Sequence, residues 1–229
     1  MDNILITGSS GDIARALIGQ LKTQGMRIVG IDIKNENASE DVHIACDLSD
    51  EQQLRQAMAT YRDELKEITG IVHLAGIYPS LGLEQYNSAL WQQVMAINVT
   101  SLFLIVQTLL QHNNDALRTI VCTSSAAAKV GSRDPAYAAS KAALLGLAKS
   151  LSLSLAPKGI RVNSVLPGII DTSMSQVQTA ERREEHRRRT LSDTIGKPEE
   201  VADVISFLLG NRSSYLWGAS IDVNGGMAF

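Results

Sequence analysis

The chain has 229 residues, 45% apolar and 20% charged, which suits one globular domain and excludes a disordered polypeptide. A net charge of −3 lacks the basic excess of a surface that tracks phosphates, so nucleic acid is not an expected partner. Cys46 and Cys122 stand in unrelated contexts, without CxxC or Cys/His spacing, so neither a disulfide framework nor a metal site is expected and a reducing compartment is the default.

From the N-terminus, Met-Asp-Asn runs straight into Ile-Leu-Ile-Thr-Gly, so no leader is expected. The segment Asn3–Thr7 (NILIT) predicts a short buried strand, followed by Gly-Ser-Ser-Gly. Residues 13–21 then set Ile13, Leu17, Ile18 and Leu21 on one helical face. Further strands are predicted at Arg27–Asp32, 43–46, 70–74, 118–123, 160–166 and Ser220–Val223. Helices are predicted at 50–65, 88–111, 136–155 and Pro198–Leu209, the last with proline in its first turn, where no amide hydrogen is needed. The longest apolar stretch, 102–106, is too short to span a bilayer, so no membrane partner is expected. Alternating strands and helices, with continuous Val/Ile/Leu runs in the strands, predict a Rossmann-like, doubly wound parallel sheet of seven strands in a single α/β domain, 1–229. One connection departs from the pattern. Residues 35–41 are polar without an apolar stripe, so a loop or single turn is expected there in place of a crossover helix.

The turn Thr7-Gly8-Ser9-Ser10-Gly11-Asp12-Ile13-Ala14 joins a strand to a helix. A helix N-terminus offers free amide hydrogens and a partial positive charge, which suit a pyrophosphate. Gly8 and Gly11 permit close approach, and the small Ala14 permits tight strand–helix packing. Taken alone, such a turn is equally an ordinary strand–helix joint. Asp32, 24 residues after Gly8 at a strand end, is placed to accept hydrogen bonds from ribose hydroxyls. Together they favour a dinucleotide.

Tyr137 and Lys141 stand four residues apart, on one face of one helix. A free phenol, with a pKa of about 10, is a poor acid or base at neutral pH, and a fixed cation nearby brings it toward the working range. An isolated pair of this kind is more often an amphipathic tyrosine and a solvated lysine. Here Ser124-Ser125 ends the preceding strand, Asn98 lies inside a helix, and Leu166-Pro167-Gly168 follows the sixth strand at the edge where ligands bind.

At this point the chain resembles the short-chain dehydrogenase/reductase family, in its single-domain branch. The resemblance runs nearly end to end: TGSSGDIA at 7–14, Asp32, Asp47-Leu48, Leu74-Ala75-Gly76, Asn98, Ser124-Ser125, Tyr137 with Lys141, Arg161-Val162-Asn163, Pro167-Gly168 with Thr172, the segment 196–202 and Asp222-Val223-Asn224-Gly225-Gly226. It implies a catalytic set of Asn98, Ser125, Tyr137 and Lys141. Tyr137 would be the general acid/base, Ser125 would bond the substrate oxygen, Lys141 would lower the tyrosine pKa and hold the nicotinamide ribose, and Asn98 would fix a water on a proton path. It further implies that Gly8, Ser10, Gly11, Asp12 and Ile13 hold the pyrophosphate side of the cofactor, with Asp32 on the ribose. Asp47 and Leu48 would flank the adenine, Ala75-Gly76 would line the adenosine ribose, and Pro167, Gly168, Ile170 and Thr172 would pin the carboxamide. Asp32 repels a 2′-phosphate, so NAD(H) is expected over NADP(H), although Lys34 nearby softens the bias.

Three departures stand out. Asp12 and Ala14 replace two glycines of the usual turn, Leu74 replaces the asparagine of Asn-Ala-Gly, and the helix after the second strand is missing. The first two bear on cofactor affinity. Counting back from Tyr137, the family spacing lands on Ser124, whereas the pattern Ser125-Ala-Ala-Ala128 lands on Ser125. A deletion in the loop 131–135 is easily accommodated, but a one-residue shift in a strand end turns the hydroxyl to the other face, so Ser125 is expected.

The resemblance implies that the segment 173–195 forms a lid over the substrate, and its run Glu181-Arg-Arg-Glu-Glu-His-Arg-Arg-Arg189 is either a solvated helix or a source of arginines for an anionic substrate group. Glu184/Arg188 and Glu185/Arg189 have helix-supporting spacing, His186 is expected at the surface, and His73 as a satisfied histidine at the core edge. The expected function is NAD-dependent interconversion of a secondary alcohol and a ketone in the cytoplasm, by a homotetramer or homodimer packed through 88–111 and 136–155. The alternatives are a ketoacyl-thioester reductase, against which Asp32 weighs, and a non-catalytic nucleotide-binding scaffold, which has no need of Tyr137 and Lys141 together.

Overall fold

Runs such as Ile4-Leu5-Ile6 are apolar at every position because both faces of their strand are covered. In the computed structural model, which describes residues 2–34, 39–112 and 114–228, seven strands form one parallel sheet. They are β1 (Asn3–Thr7), β2 (Arg27–Asp32), β3 (Val42–Ala45), β4 (Gly70–His73), β5 (Thr119–Thr123), β6 (Arg161–Pro167) and β7 (Ser220–Val223). Their order is β3-β2-β1-β4-β5-β6-β7, so the chain winds outward in both directions from the boundary between β1 and β4. Above such a boundary the connections diverge and leave a crevice at the carboxyl ends of the strands.

Successive side chains of a strand point to opposite faces. Ile4, Ile6, Ile28, Val72, Val121 and Val165 meet α1 (Asp12–Thr23) and α10 (Pro198–Leu209) on one side. Leu5, Val29, Ile31, Ile71, Ile120 and Val162 meet α2 (Glu51–Thr60), α5 (Ser101–Gln111) and α7 (Pro135–Leu155) on the other. Each such side chain, fully buried, contributes about 1.5–3 kcal/mol of transfer free energy. Arg161 and Asn163 secure the far side of the sheet. The Arg161 guanidinium donates to the carbonyls of Leu208, Gly210 and Ser213 at the end of α10, and Asn163 ties β6 to Leu216 and Ala219.

The helix predicted over 50–65 is divided: Tyr61 leaves helical geometry, and a short α3 (Arg62–Leu65) follows α2. The expected loop between β2 and β3 falls partly on residues 35–38, outside the described residues. Asp41 then ties the chain back to β2, its amide bonding the Ile28 carbonyl at 2.9 Å and its carboxylate accepting from the Ile28 amide at 2.8 Å. The long helix predicted at 88–111 forms as α4 (Ser88–Met95), a π-helical turn (Ala96–Thr100) and α5. By length and composition, with a mean hydropathy of 1.7, Ser88–Gln111 passes for a membrane span, yet half of its most apolar window is buried inside this molecule. Over the crevice lie α6 (Ala127–Val130), α8 (Ser173–Gln176) and α9 (Ala180–Arg188).

Candidate active site

A cleft of about 590 Å³ opens at the carboxyl edge of the sheet, bounded at one end by the β1–α1 turn and at the other by the N-terminal turn of α7. Gly11 precedes α1 in extended conformation and no side chain among the described residues caps the helix, so the first-turn amides, orphaned in any helix, lie on the cleft. Gly8 has a φ of 69°, and a Cβ there would lie 2.8 Å from the backbone of Ala75, so only glycine lets the turn rest on the end of β4. Asp32 accepts from the amides of Ser10 at 3.1 Å and Lys34 at 2.9 Å, which fixes its carboxylate beside the turn.

Asp12 is turned away from the amides. Its carboxylate accepts from the Ser173 amide at 2.7 Å and hydroxyl at 2.8 Å and pairs with Arg15. Burial works against its ionisation, but these partners outweigh burial and hold its pKa below the ordinary value. The charge that replaces a glycine is thereby neutralised locally, and the same contact ties the β1–α1 turn to the start of α8. The uncapped helix end, the close-packed glycine turn and the fixed Asp32 carboxylate fit a dinucleotide.

At the other end, Ser124 and Ser125 have separate duties. The Ser124 hydroxyl donates to the Lys141 carbonyl at 2.6 Å and docks α7 on β5. The Ser125 hydroxyl accepts from the Ala127 amide at 3.2 Å, lines the cleft beside Tyr137 and is the serine that favours its phenolate. Asp134 caps α7, accepting from the Tyr137 amide at 2.9 Å, from the Tyr86 hydroxyl at 2.7 Å and from the Leu81 amide at 3.3 Å. The Tyr78 ring packs edge-on against Tyr137, centroids 4.9 Å apart.

Lys141, expected to lower the Tyr137 pKa, stands beside the tyrosine ring in the same cluster. Lys141 Nζ donates to the Thr123 carbonyl at 2.8 Å and lies 5.7 Å from the tyrosine ring centroid. Burial pushes the Tyr137 phenol above its ordinary value, the Ser125 hydroxyl opposes it, and Tyr78 and Asp134 push upward as burial does. Lys141 itself is buried, and burial lowers its ammonium to about 8.

Asn98 sits in the π-helical turn, fully buried. Its side chain accepts from the Ile77 amide at 2.8 Å and donates to Ser140 Oγ at 2.9 Å. Its own carbonyl is 3.2 Å from His73 Nε2. A carbonyl only accepts, so Nε2 carries the proton and His73 Nδ1 accepts from Thr7 Oγ1 at 2.8 Å. Gly76 lies between Lys141 and Asn98: a Cβ there would stand 3.2 Å from Lys141 Nζ and 3.4 Å from Asn98 Oδ1.

Of the residues singled out from sequence, the cleft brings together Gly8, Gly11, Asp12, Ile13, Gly76, Ser125, Tyr137, Lys141, Pro167, Gly168, Ile170 and Thr172. Asn98 supports it from beneath. Ser10 and Asp32 stand beside the turn, outside the cleft lining, and Leu48 and Ala75 are buried. The Asp47 carboxylate accepts from the amide and hydroxyl of Ser49, both at 2.8 Å. Tyr78, Asp134, Ser173 and Arg133 were not singled out. Of these only Asp134, followed by Pro135 at a helix start, carries a sequence signal, that of an N-cap.

In α9, Arg188 pairs with Glu184 at 2.8 Å as its spacing predicts. Glu185 instead faces Arg133, at 4.0 Å. His186, expected at the surface, is half-buried and lines the cleft, whereas His73 is the satisfied buried histidine expected.

A family model described as enoyl-(acyl carrier protein) reductase matches residues 8–228. The 3-oxoacyl-(acyl-carrier-protein) reductase FabG of Thermotoga maritima is 32% identical over 238 residues, covering 97% of this chain and 96% of the relative. The (3R)-3-hydroxyacyl-CoA dehydrogenase of Rattus norvegicus is 29% identical over 245 residues, covering 97% and 95%. Among solved structures, the 3-oxoacyl-(acyl-carrier protein) reductase of Brucella melitensis superposes with a TM-score of 0.88 at 30% identity, over 98% of this chain and 90% of that one.

Proposed function

The chain belongs to the short-chain dehydrogenase/reductase family, whose members oxidise CH–OH groups or reduce ketones, and on that premise we propose that it uses NAD(H) with Tyr137 as its general acid/base. The observation that carries this reading is one cleft holding both the uncapped end of α1 and the Ser125–Tyr137–Lys141 cluster. A nicotinamide cofactor, when bound, supplies or accepts the hydride. Gly8, Ser10, Gly11, Asp12 and Ile13 hold its pyrophosphate side through backbone, Asp32 takes the ribose hydroxyls, and Asp47, Leu48, Ala75 and Gly76 flank the adenosine. Pro167, Gly168, Ile170 and Thr172 receive the carboxamide.

The remaining work falls to side chains. Ser125 donates to the substrate oxygen and orients it against the phenol. Tyr137 donates its proton to a ketone oxygen as it becomes an alcohol, and the phenolate, with the Lys141 ammonium beside its ring, takes the proton back in the reverse direction. Lys141 resupplies that proton, its ammonium titrating near 8, and Asn98 holds the backbone of Ile77 so that the path from Lys141 stays open. Asp32 sets the choice of cofactor, since its carboxylate accepts from a 2′-hydroxyl and repels a 2′-phosphate.

The names of the relatives favour a second reading, an acyl-thioester ketone as substrate. Apolar Trp91 on α4, Phe103 on α5 and Leu153 on α7 are exposed, which supports assembly through these helices into a dimer or tetramer; a monomer in sedimentation would remove that. The test of the whole is titration with NADH and NADPH, then cofactor reduction over a panel of secondary alcohols. NADH should bind at least about tenfold tighter, a carboxylate–phosphate clash being of order one to a few kcal/mol. Equal or tighter NADPH binding would remove Asp32 from its role.

A further inference from the structure

Of the five arginines in α9 and the residue after it, three are matched with carboxylates. Arg183 pairs with Asp171 at 2.6 Å, Arg187 with Glu184 at 2.7 Å and Arg188 with Glu184 at 2.8 Å. Arg182 and Arg189 make no ion pair among the described residues, and they are the two that line the cleft. Seven residues apart, they lie two turns along one helical face, with His186 between them, also on the cleft. Arg133 approaches from the loop that leads into α7, four residues before Tyr137, and its carboxylate partner, Glu185, stands at 4.0 Å. Three guanidinium groups thus meet one carboxylate at the tyrosine end of the cleft.

Arg182 Nε is buried and has no hydrogen-bond partner among the described residues. A buried donor of a charged group left unpaired is costly, and an anion entering the cleft relieves that cost. A guanidinium fork matches the two oxygens of a carboxylate or a phosphate edge. His186 feels the cluster: burial lowers its pKa, and Arg182, Arg189 and Arg133 lower it further while Glu185 opposes them.

We propose that Arg182 and Arg189 of the lid, with Arg133 facing them, form an anion-binding subsite, and that the substrate carries a carboxylate or phosphate group beside its secondary alcohol or ketone. This deepens the oxidoreductase reading of the cleft and rests on it.

The test uses protein saturated with reduced cofactor, in which alcohols bind without turning over. It is titrated calorimetrically with lactate, malate and 3-hydroxybutyrate, each against its methyl ester, and with glycerol 3-phosphate against glycerol. At least one anionic probe should bind about tenfold or more tighter than its neutral partner, and the series it belongs to distinguishes carboxylate from phosphate. Arg182→Gln/Arg189→Gln should abolish that preference, and Arg188→Gln, on the paired side of the helix, should retain it. No anionic preference, a preference that survives the double substitution, or a double variant that loses cofactor affinity instead would overturn the subsite. The oxidoreductase reading is scored separately, by turnover of the same panel with oxidised cofactor. Turnover without arginine dependence sinks only the subsite, and arginine-dependent binding without turnover of any alcohol sinks only the oxidoreductase reading.

Discussion

A carboxylate in the first turn of a helix favours the helix dipole but competes with any phosphate brought to the same amides. Asp12 escapes the conflict because Ser173, far away in sequence, presents an amide and a hydroxyl to it. Nothing near Asp12 in the sequence announces that partner. The pair Ser124 and Ser125 was more legible, since the alternation of side chains along a strand end sends the two hydroxyls to opposite faces. The Ser124 hydroxyl bonds the Lys141 carbonyl, and the Ser125 hydroxyl lies on the cleft with Tyr137. Ser125→Ala should therefore lower turnover by about 10²-fold or more, on the scale of a lost hydrogen bond to developing charge, with cofactor affinity little changed. Ser124→Ala should act mainly on stability. Steady-state kinetics on both variants check this, and the reverse ranking would move the substrate contact to Ser124.

Among the elements, the strands and the long helices were legible because apolar runs and periodicity are local properties, and the four-residue spacing of Tyr137 and Lys141 follows from helix geometry alone. The π-helical turn at Asn98 was not legible. It is held by bonds to Ile77, Ser140 and His73, which belong to other elements, and no sequence pattern near Asn98 encodes them. The facing of α9 was hidden for a different reason. Polar and charged all round, it has no apolar stripe to fix its rotation, so its sequence does not say which arginines meet the cleft. At the head of α7, Asp134 gathers Tyr137, Tyr86 and Leu81 on one carboxylate. Asp134→Ala should cost about 1–2 kcal/mol through the lost cap and lower kcat more than cofactor affinity, because the anchor of the Tyr137 backbone goes with it. Urea melts and cofactor titration measure the two effects; a variant with unchanged melt and kcat would contradict the role.

At the scale of the whole molecule, the buried line Thr7–His73–Asn98 joins β1, β4 and the π-helical turn beneath the site, and it makes stability depend on pH. Burial, aided by the charge of Lys141, holds His73 down to about 3 against an ordinary 6.5. Between those values the unfolded chain binds a proton that the folded chain refuses, so stability rises with pH through the window and is lost on acidification below about 6.5. His73→Asn should flatten this slope by a few kcal/mol in all, of order 1.4 kcal/mol per pH unit at most, read as urea unfolding free energy from pH 4 to 7. A variant as steep as the parent would place the proton elsewhere. The fold, the open end of α1 and the cluster at α7 support the proposed proton transfer by Tyr137. Tyr137→Phe keeps the ring packed against Tyr78 and removes only the proton carrier. With NADH binding retained, turnover of the best secondary alcohol should fall by at least about 10²–10⁴-fold. Turnover close to that of the parent protein, at equal cofactor occupancy, would contradict the account.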